Sequence, residues 1–269
     1  MKHYEKLLRL GCFTQNDIVR CTGSMPSAKW LIREYQREGY IERVKHNLYV
    51  ARSLETQQPV FNRYQIASQI SPNATVSYHS AFECYGCANQ VYYEVQVTSE
   101  SRFRDFSFDS ITYRRVLPRI SGFVTEMHGV RVTTPERTVT DSINMLGKII
   151  GLEELLRCLA LMPALNEEAL VRCLAEYRSA FLYQKTGFIL SVFAKELDLS
   201  NDFFSLCKTH LPKGKSYLSD VNRGFVWNKE WKLYAPENLK HLMDKGVSDY
   251  DAIGCLLYTS PSPRDRTRS

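Results

Sequence analysis

Apolar positions in the first fifty residues recur at helical spacing and then switch to short alternating runs. In residues 2–10, Tyr4, Leu7 and Leu8 share one helix face, and Gly11 ends the pattern. Thr14-Gln15-Asn16-Asp17 has the form of a capping box: Thr14 accepts from the amide three residues on, and Asp17 favours the positive helix end. Ile18 and Val19 then point inward, and Gly23 permits a left-handed stop. A third helix opens near Pro26-Ser27, where a missing amide proton needs no partner. Its core stripe, Ala28, Leu31, Ile32 and Tyr35, covers about a third of the circumference. Trp30, Arg33 and Arg37 lie opposite, flanked by Lys29 and Gln36, and Gly39 ends the helix.

Residues 40–44 and 48–50 read as two strands joined by Lys45-His46-Asn47, with Asn47 suited to positive φ. Three helices and a β-ribbon in this order predict a winged helix-turn-helix over residues 1–52. The third helix would enter a major groove and the ribbon tip would rest on a phosphate or minor groove. The candidate DNA contacts are Ser27, Lys29, Arg33, Gln36, Arg37, Lys45 and His46. The plainer alternative for these cations is a solvated helix face, and winged helices also serve as protein-interaction modules. Trp30 either stacks on the DNA backbone or packs against the wing or a second protomer.

Residues 53–59 follow neither period and read as a linker. Beyond it, helical spacing returns over residues 63–70 and 77–86. His79 and Glu83, four apart in the second piece, suit acid–base chemistry, although a hydrogen-bonded or solvated pair is the commoner outcome. Tyr93, Val95 and Val97 alternate with Glu94, Gln96 and Thr98 as in a half-buried strand. Residues 111–116 predict another strand, and residues 122–127 and 130–132 a hairpin over His128-Gly129. Thr134-Pro135-Glu136 opens a helix, with Thr as cap and Pro in first place. Arg137 and Asp141 lie four apart on it, as an intrahelical ion pair would. Helices are also expected over 152–162, 166–177 and 187–197. The aromatic run from Gly224 to Tyr234 suits either base stacking or, more simply, a β-hairpin closing the core. The fold class expected is α+β, a winged helix-turn-helix followed by a larger mixed domain with a small, mainly antiparallel sheet and several helices.

Charge sharpens this division. The chain of 269 residues carries a net charge of +6, and residues 1–52 alone hold +5. The long middle portion is close to neutral, so positive charge concentrates where a polyanion would be met. No apolar run is long enough for a membrane span, and the start lacks the apolar stretch of a signal peptide, so a cytoplasmic location is expected. The eight cysteines therefore read as packed thiols, with Cys158 and Cys173 as small hydrophobes in helices. Cys84-Tyr85-Gly86-Cys87 is a lone CxxC without the two further ligands that tetrahedral zinc needs, and no metal or cofactor is expected. Phosphate-loop, zinc-protease and nucleophile-elbow signatures are absent from the sequence. A metal nuclease would use Glu94, but Gln96 stands where a lysine would help. No catalytic residue is assigned.

Several segments in order resemble the AbiEi-type antitoxins of bacterial type IV toxin–antitoxin systems. They are Phe13-Thr14-x-x-Asp17-Ile18, Thr22-Gly23, Ala28, Leu31, Gly39-Tyr40-Ile41 and Tyr49, then Ser77-Tyr78-His79-Ser80-Ala81, Thr134-Pro135-Glu136-Arg137-Thr138-x-x-Asp141 and Trp231-Lys232-Leu233-Tyr234-Ala235-Pro236-Glu237-Asn238-Leu239. Together they span most of residues 13–240. The resemblance implies a winged helix that binds double-stranded operator DNA and represses its own operon. It also implies a C-terminal domain, residues 60–254, that antagonises a nucleotidyltransferase toxin in abortive phage defence without a stable complex. Arg137 and Asp141 are the antitoxin-domain candidates, with no chemical role implied. His46-Asn47 departs from the basic residue and glycine frequent at this wing tip. The alternative reading is a ligand-responsive transcriptional regulator without antitoxin activity. Residues 255–269 shift abruptly to Ser, Pro and Arg, resemble translated sequencing-adaptor read-through, and are expected to be a disordered, non-native tail.

Overall fold

In the computed structural model, residues 3–220 and 223–244 are described; the tail expectation lies outside them. The chain begins with α1 (Tyr4–Leu10), β1 (Cys12–Phe13), α2 (Gln15–Thr22), α3 (Met25–Arg37), β2 (Ile41–Lys45) and β3 (Leu48–Ala51). Thr14 and Asp17 make the reciprocal capping box at the start of α2, Gly23 closes that helix at φ 82°, and Ser24 caps α3. Ala28, Leu31, Ile32 and Tyr35 are buried as their spacing requires, in a core with Leu7, Phe13, Ile18 and Tyr49. The strands form an antiparallel sheet in the order β1-β3-β2. Asn47 sits at φ 59°, and its side chain accepts from the Gln15 amide at 3.0 Å, tying the hairpin turn to α2.

Residues 53–59 are a folded turn where a linker was expected. The Ser53 amide donates to Gln58 O, Gln57 donates to Ser53 O, and Val60 donates to Ala51 O, each at 2.9 Å. Phe61 then lies against Gly11, where a Cβ would come within 2.0 Å of its ring, and Gly11 has φ 64° besides. The physical reason is apolar continuity. Cys12, Val44, Leu48 and Val50 belong to the same buried cluster as Ile66, Val76, Val95 and Val132, so the first sheet shares a core with the second.

That second part holds α4 (Arg63–Ser68), β4 (Thr75–Val76), α5 (His79–Cys84), β5 (Glu94–Thr98), β6 (Phe106–Phe108), β7 (Ile111–Val116), β8 (Val124–Met127) and β9 (Val130–Thr133). The strands make one six-stranded sheet in the order β6-β7-β5-β4-β9-β8. It is mixed, larger than the small and mainly antiparallel sheet expected: β5 with β7 and β4 with β9 are parallel. Nor is β5 half-buried. Gln96 and Thr98 are as buried as Val95 and Val97, whereas Tyr93, outside the strand, is exposed. The polar face is covered by α5: Ser80 Oγ accepts from the Gln96 amide at 3.0 Å, and the Ser80 amide donates to Gln96 Oε1 at 3.1 Å. Buried polar side chains are tolerated because they satisfy each other.

The helical layer comes next: α6 (Pro135–Asn144), α7 (Leu152–Leu161), α8 (Glu167–Tyr177), α9 (Ala180–Leu190) and α10 (Asn201–Thr209). Then come β10 (Ser216–Tyr217), β11 (Val226–Asn228), β12 (Leu233–Ala235) and α11 (Leu239–Asp244). The helix expected over 187–197 instead starts at Ala180. All of Leu182 to Leu190 is buried, so α9 lacks the polar face that would have marked its period. Gly187 lets the Trp231 ring approach α9, and the β11–β12 hairpin closes the core as expected. The fold class is α+β. No helix among the described residues is long and apolar enough to cross a membrane.

Candidate functional site

The face of α3 opposite its buried stripe presents Ser27, Lys29, Trp30, Arg33, Gln36 and Arg37, all exposed, with Trp30 at 58%. Its cations are not equivalent. Arg37 is held by Glu34 at 2.5 Å and Glu38 at 3.1 Å. Lys29 and Arg33 make no ion pair among the described residues. Ser27 accepts from Ser24 Oγ at 2.8 Å at the helix start. At the ribbon tip His46 is exposed. Lys45 stands beside it at the end of β2, and its ammonium lies 5.3 Å from the Phe103 ring centre and 5.9 Å from that of Phe106. Burial lowers its pKa. The sequence pattern had no means of bringing Phe103 and Phe106 to this hairpin.

Arg137 and Asp141, expected as an ordinary helix pair, are 3% and 2% exposed. Arg137 Nε donates to Asp141 Oδ2 at 3.2 Å, Nη1 donates to Gly122 O, and the Tyr177 hydroxyl donates to Asp141 Oδ1. Burial raises the Asp141 pKa, opposed by Arg137 and Tyr177. Arg137 also lines a cleft of about 270 Å³ together with Arg131, Ser99, Thr98 and Glu100. Tyr78, fully buried at φ 55°, carries a hydroxyl without a hydrogen-bond partner among the described residues. Neither Tyr78 nor Tyr177 could be linked to Arg137 by sequence spacing.

His79 and Glu83 form a third cluster, the paired rather than the solvated of the two outcomes expected, with side chains 0% and 2% exposed. His79 Nδ1 lies 3.2 Å from Glu83 Oε1, and Nε2 lies 3.0 Å from Glu154 Oε1 on α7. Glu83 Oε2 accepts from Arg63 at 2.9 Å and from Tyr64 at 2.5 Å, while Oε1 accepts from the Tyr92 amide at 2.8 Å. Burial works to lower the His79 pKa, but the two carboxylates outweigh it and raise it. Burial likewise pushes Glu83 up, and its donors bring it below the ordinary value. Cys84 and Cys87 are free thiols, and Cys87 donates to Leu161 O at 3.4 Å. Glu94 is paired with Arg114 at 3.0 Å on the sheet.

The geometry defines an α+β protein with an exposed basic helix and two buried polar clusters. No family model and no curated protein matches the chain. Among solved structures it is similar to the RV2827C protein from Mycobacterium tuberculosis, at 15% identity, over 94% of both chains and with a TM-score of 0.60. The likeness extends to the whole architecture and is one of fold.

Proposed function

We propose that this chain is a DNA-binding regulator of the antitoxin type. Residues 3–52 act as a winged helix-turn-helix, with α3 in the major groove of operator DNA. The remainder opposes a nucleotidyltransferase toxin without forming a stable complex. The observation that carries the DNA-binding half is the outer face of α3, where Lys29 and Arg33 are exposed and pair with no carboxylate among the described residues. Helix α2, the turn at Gly23-Ser24 and α3 stand in the order such readers use. The excess of +5 in residues 1–52 supplies the field that draws phosphate. We assign the contacts to Lys29, Arg33, Gln36 and His46, with Ser27 at the helix start. Arg37 is drawn toward Glu34 and Glu38, and Lys45 toward its two rings. The antitoxin half rests on the resemblance of Ser77–Ala81, Thr134–Asp141 and Trp231–Leu239 to AbiEi-type sequences. No catalytic role is proposed.

Fluorescence anisotropy with a duplex from immediately upstream of the coding sequence, against a scrambled duplex, tests the first half. Specific binding is expected, with Lys29→Ala and Arg33→Ala each weakening it and reducing the salt slope by about 1. Equal affinity for both duplexes, or variants binding like the wild type, would remove α3 as the reading element. A second reading, a ligand-responsive regulator, is favoured by the cleft lined by Arg131 and Arg137. It predicts operator binding that changes with a small anionic ligand and no effect on a toxin.

A further inference from the structure

Helices α5 and α7 bring together three side chains that share no sequence motif. His79, Glu154 and Cys158 are all buried, and their ligating atoms lie within 4.8 Å of one another. Cys158, one turn beyond Glu154, places Sγ 3.7 Å from the same Glu154 Oε1 that faces His79 at 3.0 Å. The Tyr92 ring covers the imidazole, with centroids 4.0 Å apart. Glu154 is 6% exposed, yet its Oε2 has no hydrogen bond among the described residues and lies 4.0 Å from Arg157 Nη1.

The imidazole stands between two carboxylates, and a neutral ring has one proton for the two of them. With its proton on Nδ1 toward Glu83, the Nε2 lone pair faces a carboxylate oxygen at 3.0 Å, and two acceptors confront each other. A second imidazole proton, a proton on the Glu154 carboxyl or a metal cation each relieves that opposition. The geometry points to a divalent transition-metal site of the zinc type, with His79 Nε2, the Glu154 carboxylate and the Cys158 thiolate as ligands. Glu83 Oε1 lies 3.2 Å from Nδ1, where a small turn of the ring would let it take the remaining Nδ1–H, the carboxylate–histidine–metal arrangement that fixes a ligating ring. Glu83 is itself held by Arg63, Tyr64 and the Tyr92 amide. Tetrahedral bonds of ordinary length put neighbouring ligand atoms roughly 3.3–3.6 Å apart, so the side chains must close in from separations of up to 4.8 Å. A nitrogen, oxygen and thiolate set favours zinc or cobalt over magnesium or calcium.

The exchange balances. One M²⁺ enters as one proton leaves the imidazolium at Nε2 and another leaves the Cys158 thiol, so the buried cluster keeps its net charge. Binding would thus clamp the α5 side of the sheet to α7, without leaving an uncompensated charge in the interior.

The test is titration of the chelator-treated full chain with Co²⁺. One equivalent should bind, with intense visible d–d bands and a thiolate-to-cobalt charge-transfer band in the near ultraviolet, both bleached by Zn²⁺. Cys158→Ser should abolish the charge-transfer band, while Cys84→Ser should leave it intact. Zinc should raise the midpoint of thermal unfolding relative to chelator, and X-ray absorption of the zinc form should show one sulfur among nitrogen and oxygen neighbours. Absence of a stoichiometric band, a band that follows Cys84, or a zinc shell with two or more sulfurs would overturn the assignment. The absorption measurement uses the unaltered chain, so it decides the matter even if Cys158→Ser does not fold.

Discussion

Arg137→Met puts the heaviest demand on the buried polar contacts of the helical layer. The guanidinium and the Asp141 carboxylate are 3% and 2% exposed, so removing the cation strands an anion away from water. Breaking a buried pair in this way costs about 3–5 kcal/mol, against about 0.3–0.5 kcal/mol for a solvated i,i+4 pair. The loss should lower the unfolding midpoint by on the order of 10 °C. Its pH dependence has a definite sign. Burial already raises the Asp141 pKa above 3.8 against the pull of Arg137 and Tyr177. The folded state therefore holds a proton more tightly than the unfolded chain. The stability from this group is largest below the unfolded value and falls as pH rises through the folded one. Removing Arg137 deletes an opposing cause and carries that fall to higher pH, so the deficit should deepen as pH rises from the ordinary carboxylate range through neutrality. Urea unfolding of both proteins across that range measures it. The triple change Arg137→Met, Asp141→Leu, Tyr177→Phe, which removes the carboxylate and the phenol and leaves only the Gly122 carbonyl without its donor, should recover most of the loss. A deficit below about 1 kcal/mol, flat with pH, would show that the pair behaves as a solvated one.

Three further outcomes are expected. Gly187→Ala places a methyl 2.2 Å from the Trp231 ring and 3.0 Å from Cys207 Cβ, so it should lower the thermal midpoint by an overpacking cost of about 1–3 kcal/mol; an unchanged midpoint would mean that the Trp231 hairpin does not seat on α9. Thr14→Ala removes one side of the capping box and should cost about 1 kcal/mol in denaturant unfolding, and a loss near zero would discount that cap. Lys45→Ala should reduce stability by about 0.5–2 kcal/mol through its lost ring contacts and leave the salt slope of DNA binding alone; a reduced slope would return Lys45 to the DNA interface.

The range of each interaction decides how far it was legible in the sequence. The caps at Thr14 and Thr134, the stop at Gly23 and the turn at Asn47 are fixed by residues within four positions, and they appear where spacing puts them. The buried stripe of α3 was readable because its opposite face is polar. Helix α9 was misplaced for the converse reason: Gln184, Lys185 and Thr186 are buried beside Leu182 and Ile189, which erases the period. Strand β5 misled similarly, since Ser80 satisfies Gln96 from sixteen residues away. The polar clusters were legible only in fragments. His79 with Glu83, and Arg137 with Asp141, are local pairs; Glu154, Cys158, Arg63 and Tyr177 reach them through tertiary packing alone. Lys45 shows the same limit, because Phe106 lies on the second sheet and Phe103 in the segment that leads into it.

Growth rescue tests the central claim most directly. The full chain carrying Lys29→Ala and Arg33→Ala is co-expressed with the product of the gene next to its own, which the proposal expects to be a growth-arresting nucleotidyltransferase. Substitution is preferable to truncation, because Cys12, Val44, Leu48 and Val50 share a core with the six-stranded sheet. The account predicts restored growth despite lost operator binding, which would assign toxin antagonism to the α+β remainder. Continued arrest by folded, well-expressed wild-type chain would contradict it, leaving a DNA-binding regulator whose larger part answers to some other signal.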